Sequence, residues 1–252
     1  MRRLERRWQG SEFPSFSDSP LRELGTKVEE ITCLLESRYG IPRKRRRADP
    51  LDILIQTILS QNTHDRNRDL AYQRLKSRFP SWEDVAKAKT KAIVQAIRPG
   101  GLADQKARCI REILGWIKEH NGRLNLDFLQ KMRSEEIKET IGKLKGVGPK
   151  TVYCLLLFGM GREAFPVDTH VLRVGKRLGF IPSQLDAKKA HRWMVPLIPK
   201  GKSLSLHLNL IRLGRSICKA KKPHCDICFL TEECLQWIMN HQGAHHSHEE
   251  VV

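Results

Sequence analysis

The sequence predicts an all-α protein, and three observations carry that prediction. Apolar residues recur at helical rather than alternating spacing, as in Leu24, Val28, Ile31 and Leu35. Helix starts are marked by a capping residue with proline behind it, at Ser19–Pro20 and Asp49–Pro50. No period-two alternation is long enough for a strand, and no repeat occurs at solenoid spacing.

In order along the chain, the first helix covers "SPLRELGTKVEEITCLLESRY", and Gly40 ends it. The second begins at "DPLDILIQTILSQ". Further helices are expected over about 65–78, 81–88, 90–97, 104–120, 134–142, 149–160, 169–179, 186–195 and 203–216. Connections between them are short and punctuated by Gly, Pro and Asn. Residues 1–18 read as a disordered basic tail and residues 239–252, with their "HQGAHHSHEEVV", as a second frayed tail. The run "PRKRRR" at 42–47 suits a localisation signal, a phosphate contact or a solvated charge run alike.

A chain of 252 residues has room for one large domain or two modest ones sharing a core. Its formal charge of +18 points to a polyanionic partner, because neutralising phosphates releases counterions. A merely solvated basic surface fits that charge as well. No apolar run approaches the roughly 20 residues that cross a bilayer, so no membrane partner is expected. "MRRLERRWQG" is not followed by the apolar stretch of a secretory signal, although an organellar transit peptide stays open. Seven cysteines without such a signal argue against a disulfide framework. Cys33, Cys109 and Cys154 read as core thiols.

Four segments carry chemistry. "LKGVGPKTV", 144–152, joins two expected helices through a glycine-built turn, a helix–hairpin–helix. Glycine lets a surface approach the main chain, and amides at a helix start make an anion site. Gly146, Val147, Gly148, Lys145 and Thr151 are therefore candidate DNA-backbone contacts; a plain tight turn is the alternative. Lys150 sits in the first turn, where a cation is unfavourable. A bound phosphate would compensate it, or the site favours the neutral, nucleophilic amine. In "FPVDTHVLRV", Asp168 is a good N-cap for the next helix, or a cleft-lining carboxylate if its helix returns toward the hairpin.

Cys218-x6-Cys225-x2-Cys228-x5-Cys234 places four soft ligands close together. The spacing favours an iron–sulfur cluster over structural zinc, which more often uses two tight pairs. The loop "KAKKPH" presents Lys219, Lys221 and Lys222 to a phosphate backbone.

Taken together, "GVGPK", "PVDTH" and the cysteine spacing resemble the endonuclease III family of DNA glycosylases, over roughly residues 20–238. The resemblance implies two all-α domains: a six-helix barrel over 48–164, and a cluster domain from 19–47 with 165–238, the active site lying in the cleft between them. It implies that Lys150 attacks C1′ of a damaged nucleotide, that Asp168 is the second catalytic residue, and that the four cysteines hold a [4Fe–4S] cluster. It also places Gln61 and Asn62 of "LSQNTHDRN" on a loop that enters the duplex, with His64 facing the base pocket or solvent. The implied activity is a bifunctional glycosylase/AP lyase on oxidised pyrimidines. "SQN" and "AFPVDTHVLRVGKRLGFIP" also look like plant 5-methylcytosine glycosylases, so a mismatched or methylated pyrimidine is the alternative substrate, and a noncatalytic DNA-binding protein the second. The expected partner is double-stranded DNA with a damaged or abasic site, bound by a monomer. The compartment would be cytoplasm or nucleoid in a prokaryote, and nucleus or mitochondrion in a eukaryote.

Overall fold

The computed structural model describes residues 19–42 and 48–242. The expected tails at 1–18 and 243–252, and Arg43 to Arg47 of the basic run, lie outside them. Among the described residues there are twelve α-helices and no strand. The chain divides into two compact units, Lys44–Ala164 and Met1–Arg43 with Phe165–Val252.

The Lys44–Ala164 unit carries seven of the helices. Helix α2 (Pro50–Leu59) starts where Asp49 accepts the Leu51 amide at 2.7 Å, and Pro50, lacking an N–H, leaves no donor unmet. Its Leu51, Leu54, Ile55, Ile58 and Leu59 are wholly buried. Helix α3 (Asp65–Arg78) is polar and buries only Ala71 and Leu75. Helix α4 (Trp82–Lys87) opens with a capping box between Ser81 and Asp84. Helix α5 (Thr90–Ile97) runs into a 3-10 turn, Arg98–Gly100. The longest, α6 (Ala103–Asn121), packs against α2, α4 and α5 and buries Ile110, Ile113, Leu114 and Ile117. Gly122, at φ 69°, ends it, because only glycine takes that backbone without strain.

Helices α7 (Ser134–Gly142) and α8 (Pro149–Cys154) flank the hairpin. The helix expected to run unbroken from 149 to 160 instead widens after Cys154 into a π turn, Leu155–Gly159, where the Met160 amide reaches back to Leu155. Leu155, Leu156 and Leu157 are consecutive and all buried, so no single face holds that stretch to 3.6 residues per turn.

The other unit packs α1 (Ser19–Tyr39) and α9 (Thr169–Leu178) on α11 (Ser203–Ser216), with α10 (Ala187–Met194) and α12 (Leu235–Gln242) against α9. Its core joins Val28, Ile31 and Leu35 of α1 to Val171 and Val174 of α9 and to Leu206 and Leu210 of α11. Asn209, fully buried, donates to the Gly40 carbonyl and so closes the end of α1. Two expectations need correction. Cys33 is exposed rather than a core thiol, since it falls between the buried positions of α1. The tail expected from 239 is helical through Gln242, because His241 stacks on Trp237 at 3.7 Å and bonds its carbonyl, an i,i+4 pair.

Gly175 on α9 faces Phe180 and Ile181, and a Cβ there would lie 2.7 Å from the Phe180 ring and 2.6 Å from Ile181 Cδ1. Gly175→Ala should therefore overpack this core and destabilise the protein by about 1–3 kcal/mol. Thermal unfolding followed by circular dichroism should show a Tm lowered by a few degrees; an unchanged Tm would mean that the core yields freely.

Candidate functional site

The hairpin is built from the inside. The Leu144 amide donates to Ile141 and the Val147 amide to Leu144, which turns the chain out of α7. Gly146 completes the turn at φ 82°. A Cβ on Gly146 would sit 2.6 Å from Cys109 Sγ, and the Cys109 thiol donates to the Lys145 carbonyl. Burial, with Glu112 adding to it, pushes that thiol up to about 11, so it stays a protonated donor rather than a nucleophile. Gly148 differs: nothing lies within 4 Å of where its Cβ would be. Lys145, Gly146 and Gly148 are exposed, and Lys150 is half-buried in the first turn of α8.

Two of the expected backbone contacts do not present themselves. Val147 and Thr151 have buried side chains, and their amides already donate to Leu144 and Gly148. They hold the hairpin's shape. The amides of Gly148 and Lys150 precede the first intrahelical bond, Thr151 to Gly148.

The loop after α2 meets the hairpin. Gln61 Nε2 donates to the Gly146 carbonyl at 2.9 Å, so its amide group ties the loop down. Asn62 is exposed at φ 51°, a left-handed backbone that asparagine tolerates better than most. His64 is exposed at the N-cap position of α3 and makes no capping bond. Leu102, missed in the sequence, stands at φ 49° and is half exposed just before α6. Its signal was a leucine after Gly100–Gly101, where a polar N-cap belongs. Lys106, also missed, is buried with its amine on the Leu59 and Gly100 carbonyls.

In the other unit, Asp168 caps α9, its Oδ1 accepting the Val171 amide at 2.7 Å. The strap leading to it is clamped on both sides. His191 Nε2 accepts the Val167 amide while its Nδ1 donates to Ala187, and His207 Nδ1 donates to the Pro166 carbonyl. Two residues on, burial, aided by Arg173 and Arg215 and opposed by Asp168, lowers the His170 pKa. A neutral His170 can accept from Arg173 through Nδ1. Arg173 in turn donates to the Gly214 and Cys218 carbonyls.

Cys218, Cys225, Cys228 and Cys234 all line one cavity of about 100 Å³, walled by Leu178, Leu213 and Trp237. Burial first, then the neighbouring sulfurs, raises the pKa of Cys225 and Cys228, a repulsion that bound cationic metal would offset. Among the described residues no three His, Cys, Asp or Glu groups converge on a single ion position. Four cysteines lining one cavity are a donor set that suits an iron–sulfur cluster, which is held by four thiolates. Arg177 shapes the adjoining loop, with one nitrogen 3.3 Å from Cys218 Sγ and bonds to the Lys219 and Ala220 carbonyls. Lys219, Lys221 and Lys222 are exposed on that loop, Lys222 at φ 51°.

Residues 55–200 match the profile of the HhH-GPD superfamily base excision DNA repair proteins, and residues 218–234 that of the iron–sulfur binding domain of endonuclease III. The chain belongs to the endonuclease III family. It is 42% identical over 212 residues to a putative DNA glycosylase of Arabidopsis thaliana, covering 84% of this chain and 72% of that one. It is 32% identical to endonuclease III of Thermotoga maritima, covering 82% and 92%. A trapped endonuclease III–DNA covalent intermediate superposes with a TM-score of 0.73 at 26% identity, over 86% of this chain and 98% of the other. As an endonuclease III-like DNA glycosylase of base excision repair, the protein carries a [4Fe–4S] cluster, and the matched iron–sulfur segment, 218–234, spans the four cysteines.

Protein purified anaerobically should be yellow-brown and hold about four iron atoms per chain, and Cys228→Ser should lower the iron content and the Tm together. Stoichiometric zinc with no iron would contradict the assignment.

Proposed function

We propose that this glycosylase is bifunctional, removing oxidised pyrimidines from double-stranded DNA and then cleaving the strand at the abasic site. The observation that carries the reading is a half-buried amine, Lys150, one residue behind Pro149 at the start of a helix whose N-cap residue, Gly148, brings no side chain to cap it. Phosphate on the exposed Gly146–Gly148 main chain and on the Lys219–Lys222 loop would hold the strand without reading its sequence. Asn62 is the side chain that fills the space left when a base swings out.

In this reading the neutral Lys150 amine attacks C1′ as the C1′–N bond breaks, and the base leaves with the bonding electrons and a proton. The nitrogen then gives up a proton and its lone pair breaks the C1′–O4′ bond, the ring oxygen taking up a proton, to leave an iminium ion. Loss of a C2′ proton then expels the 3′ phosphate by β-elimination. Asp168 supports the first step: its carboxylate opposes the positive charge that builds on the sugar. Each such group contributes on the order of 10²–10⁴-fold. The covalent intermediate trapped in the similar endonuclease III supports a covalent route here.

The test is a panel of duplexes, each with one oxidised pyrimidine, T or U mismatch, 5-methylcytosine or preformed abasic site, scored with and without hot alkali. Strand breakage without alkali, greatest for the oxidised pyrimidine, is expected. Breakage only after alkali would reduce the enzyme to base removal, and preference for the mismatch or methylated base would reassign the substrate. Asp168→Asn should slow base release by about 10²–10⁴-fold while leaving part of the cleavage at a preformed abasic site.

A further inference from the structure

Lys106 is an ammonium group in the wrong solvent. It is 2% exposed, burial lowers its pKa, and among the described residues no carboxylate forms an ion pair with it. A buried charge without a counter-ion is costly, and methionine would fill the same space. What the amine does is hydrogen-bond: its nitrogen donates at 2.8 Å to the carbonyl of Leu59 and at 2.8 Å to that of Gly100.

These carbonyls mark the last residue of α2 and the end of the 3-10 turn before α6. Just beyond them stand Asn62 at φ 51° and Leu102 at φ 49°, the two non-glycine residues of this unit with positive φ among those described. Both are exposed. Strained backbone of this kind persists only where the surroundings hold it. One turn along α6, Cys109 donates to Lys145, and Gln61 closes the circuit by donating to Gly146. Helix α6 therefore fastens both turns directly and the hairpin as well.

We propose that Lys106 is a positioning residue which, by donating to Leu59 and Gly100, locks the Asn62 turn to the Gly101–Leu102 turn and so sets the preference for damaged over intact DNA without touching DNA. The inference rests on the reading that Asn62 enters the duplex. Removing the donors while keeping the volume frees two buried carbonyls and lets the turns move apart. Phosphate anchoring, which belongs to the hairpin and the lysine loop, stays.

The experiment compares Lys106→Met, Asn62→Ala and the double variant with the wild type. It measures affinity for a duplex holding an uncleavable abasic analogue against affinity for the intact duplex, and amide hydrogen exchange without DNA. Lys106→Met should lower the damaged-to-intact ratio about ten- to a hundredfold, as expected for ångström-scale misplacement, with intact-duplex affinity little changed. Exchange should quicken at 60–64 and 101–103 and stay unaltered beyond Ile110. In the double variant the two losses should be less than additive. Unchanged exchange at the two turns, a wild-type ratio in Lys106→Met, or strictly additive losses would each overturn the proposal. A wild-type ratio in Asn62→Ala contradicts instead the entry of Asn62 into the duplex, and the exchange measurement then decides Lys106 alone. If the methionine variant does not fold, Lys106→Gln, which keeps one N–H donor at shorter reach, is read in the same way.

Discussion

The hairpin main chain rests on a sulfur atom, and much of the Lys44–Ala164 unit's functional surface follows from that contact. At Gly146 there is no room for a methyl group above Cys109 Sγ, and the backbone angle excludes most other residues as well. Because the thiol stays protonated, it also fixes the Lys145 carbonyl. The turn is thereby closed from beneath, α8 starts at a set point, and Lys150 emerges one residue behind Pro149. Gly148 has the opposite reason to be glycine. Space around it is open, so what its missing side chain provides is access from outside.

Helix α9 does comparable work in the other unit. Asp168 at its start is oriented by the Val171 amide, and its strap is held by two buried histidines. Further along, Arg173 and Arg177 reach the carbonyls of Cys218, Lys219 and Ala220. One ten-residue helix thus begins at the carboxylate and braces the loop that leaves Cys218 and carries the exposed lysines. The N-cap bond and a catalytic duty are compatible: the cap occupies one carboxylate oxygen and fixes the group's direction.

What could be read in the sequence was local. Asp49–Pro50 and Asp168 each announce a helix start through bonds made within three residues, and both caps are present. The periodicity of α1 picks out Val28, Ile31 and Leu35, all buried. Cysteine spacing brought four sulfurs to one cavity. What could not be read depends on partners distant in sequence. Lys106 looks like one more charge in "ADQKARC", and only its bonds to Leu59 and Gly100 show otherwise. Val147 and Thr151 belong to the hairpin's interior, which the motif alone does not reveal. The π turn after Cys154 arises in an apolar run without a period, and α12 in a segment whose histidines suggested a frayed end.

The central claim is that the amine of Lys150 becomes covalently joined to the damaged nucleotide, and borohydride tests it most directly. Reduction during turnover on a lesion-bearing duplex should convert the iminium into a stable protein–DNA adduct, mapped by peptide mass to Lys150. Lys150→Gln should lose the adduct and the strand cleavage together while keeping its helix content and its affinity for DNA. An adduct formed by Lys150→Gln at the wild-type rate would place the nucleophile on another amine and contradict the account.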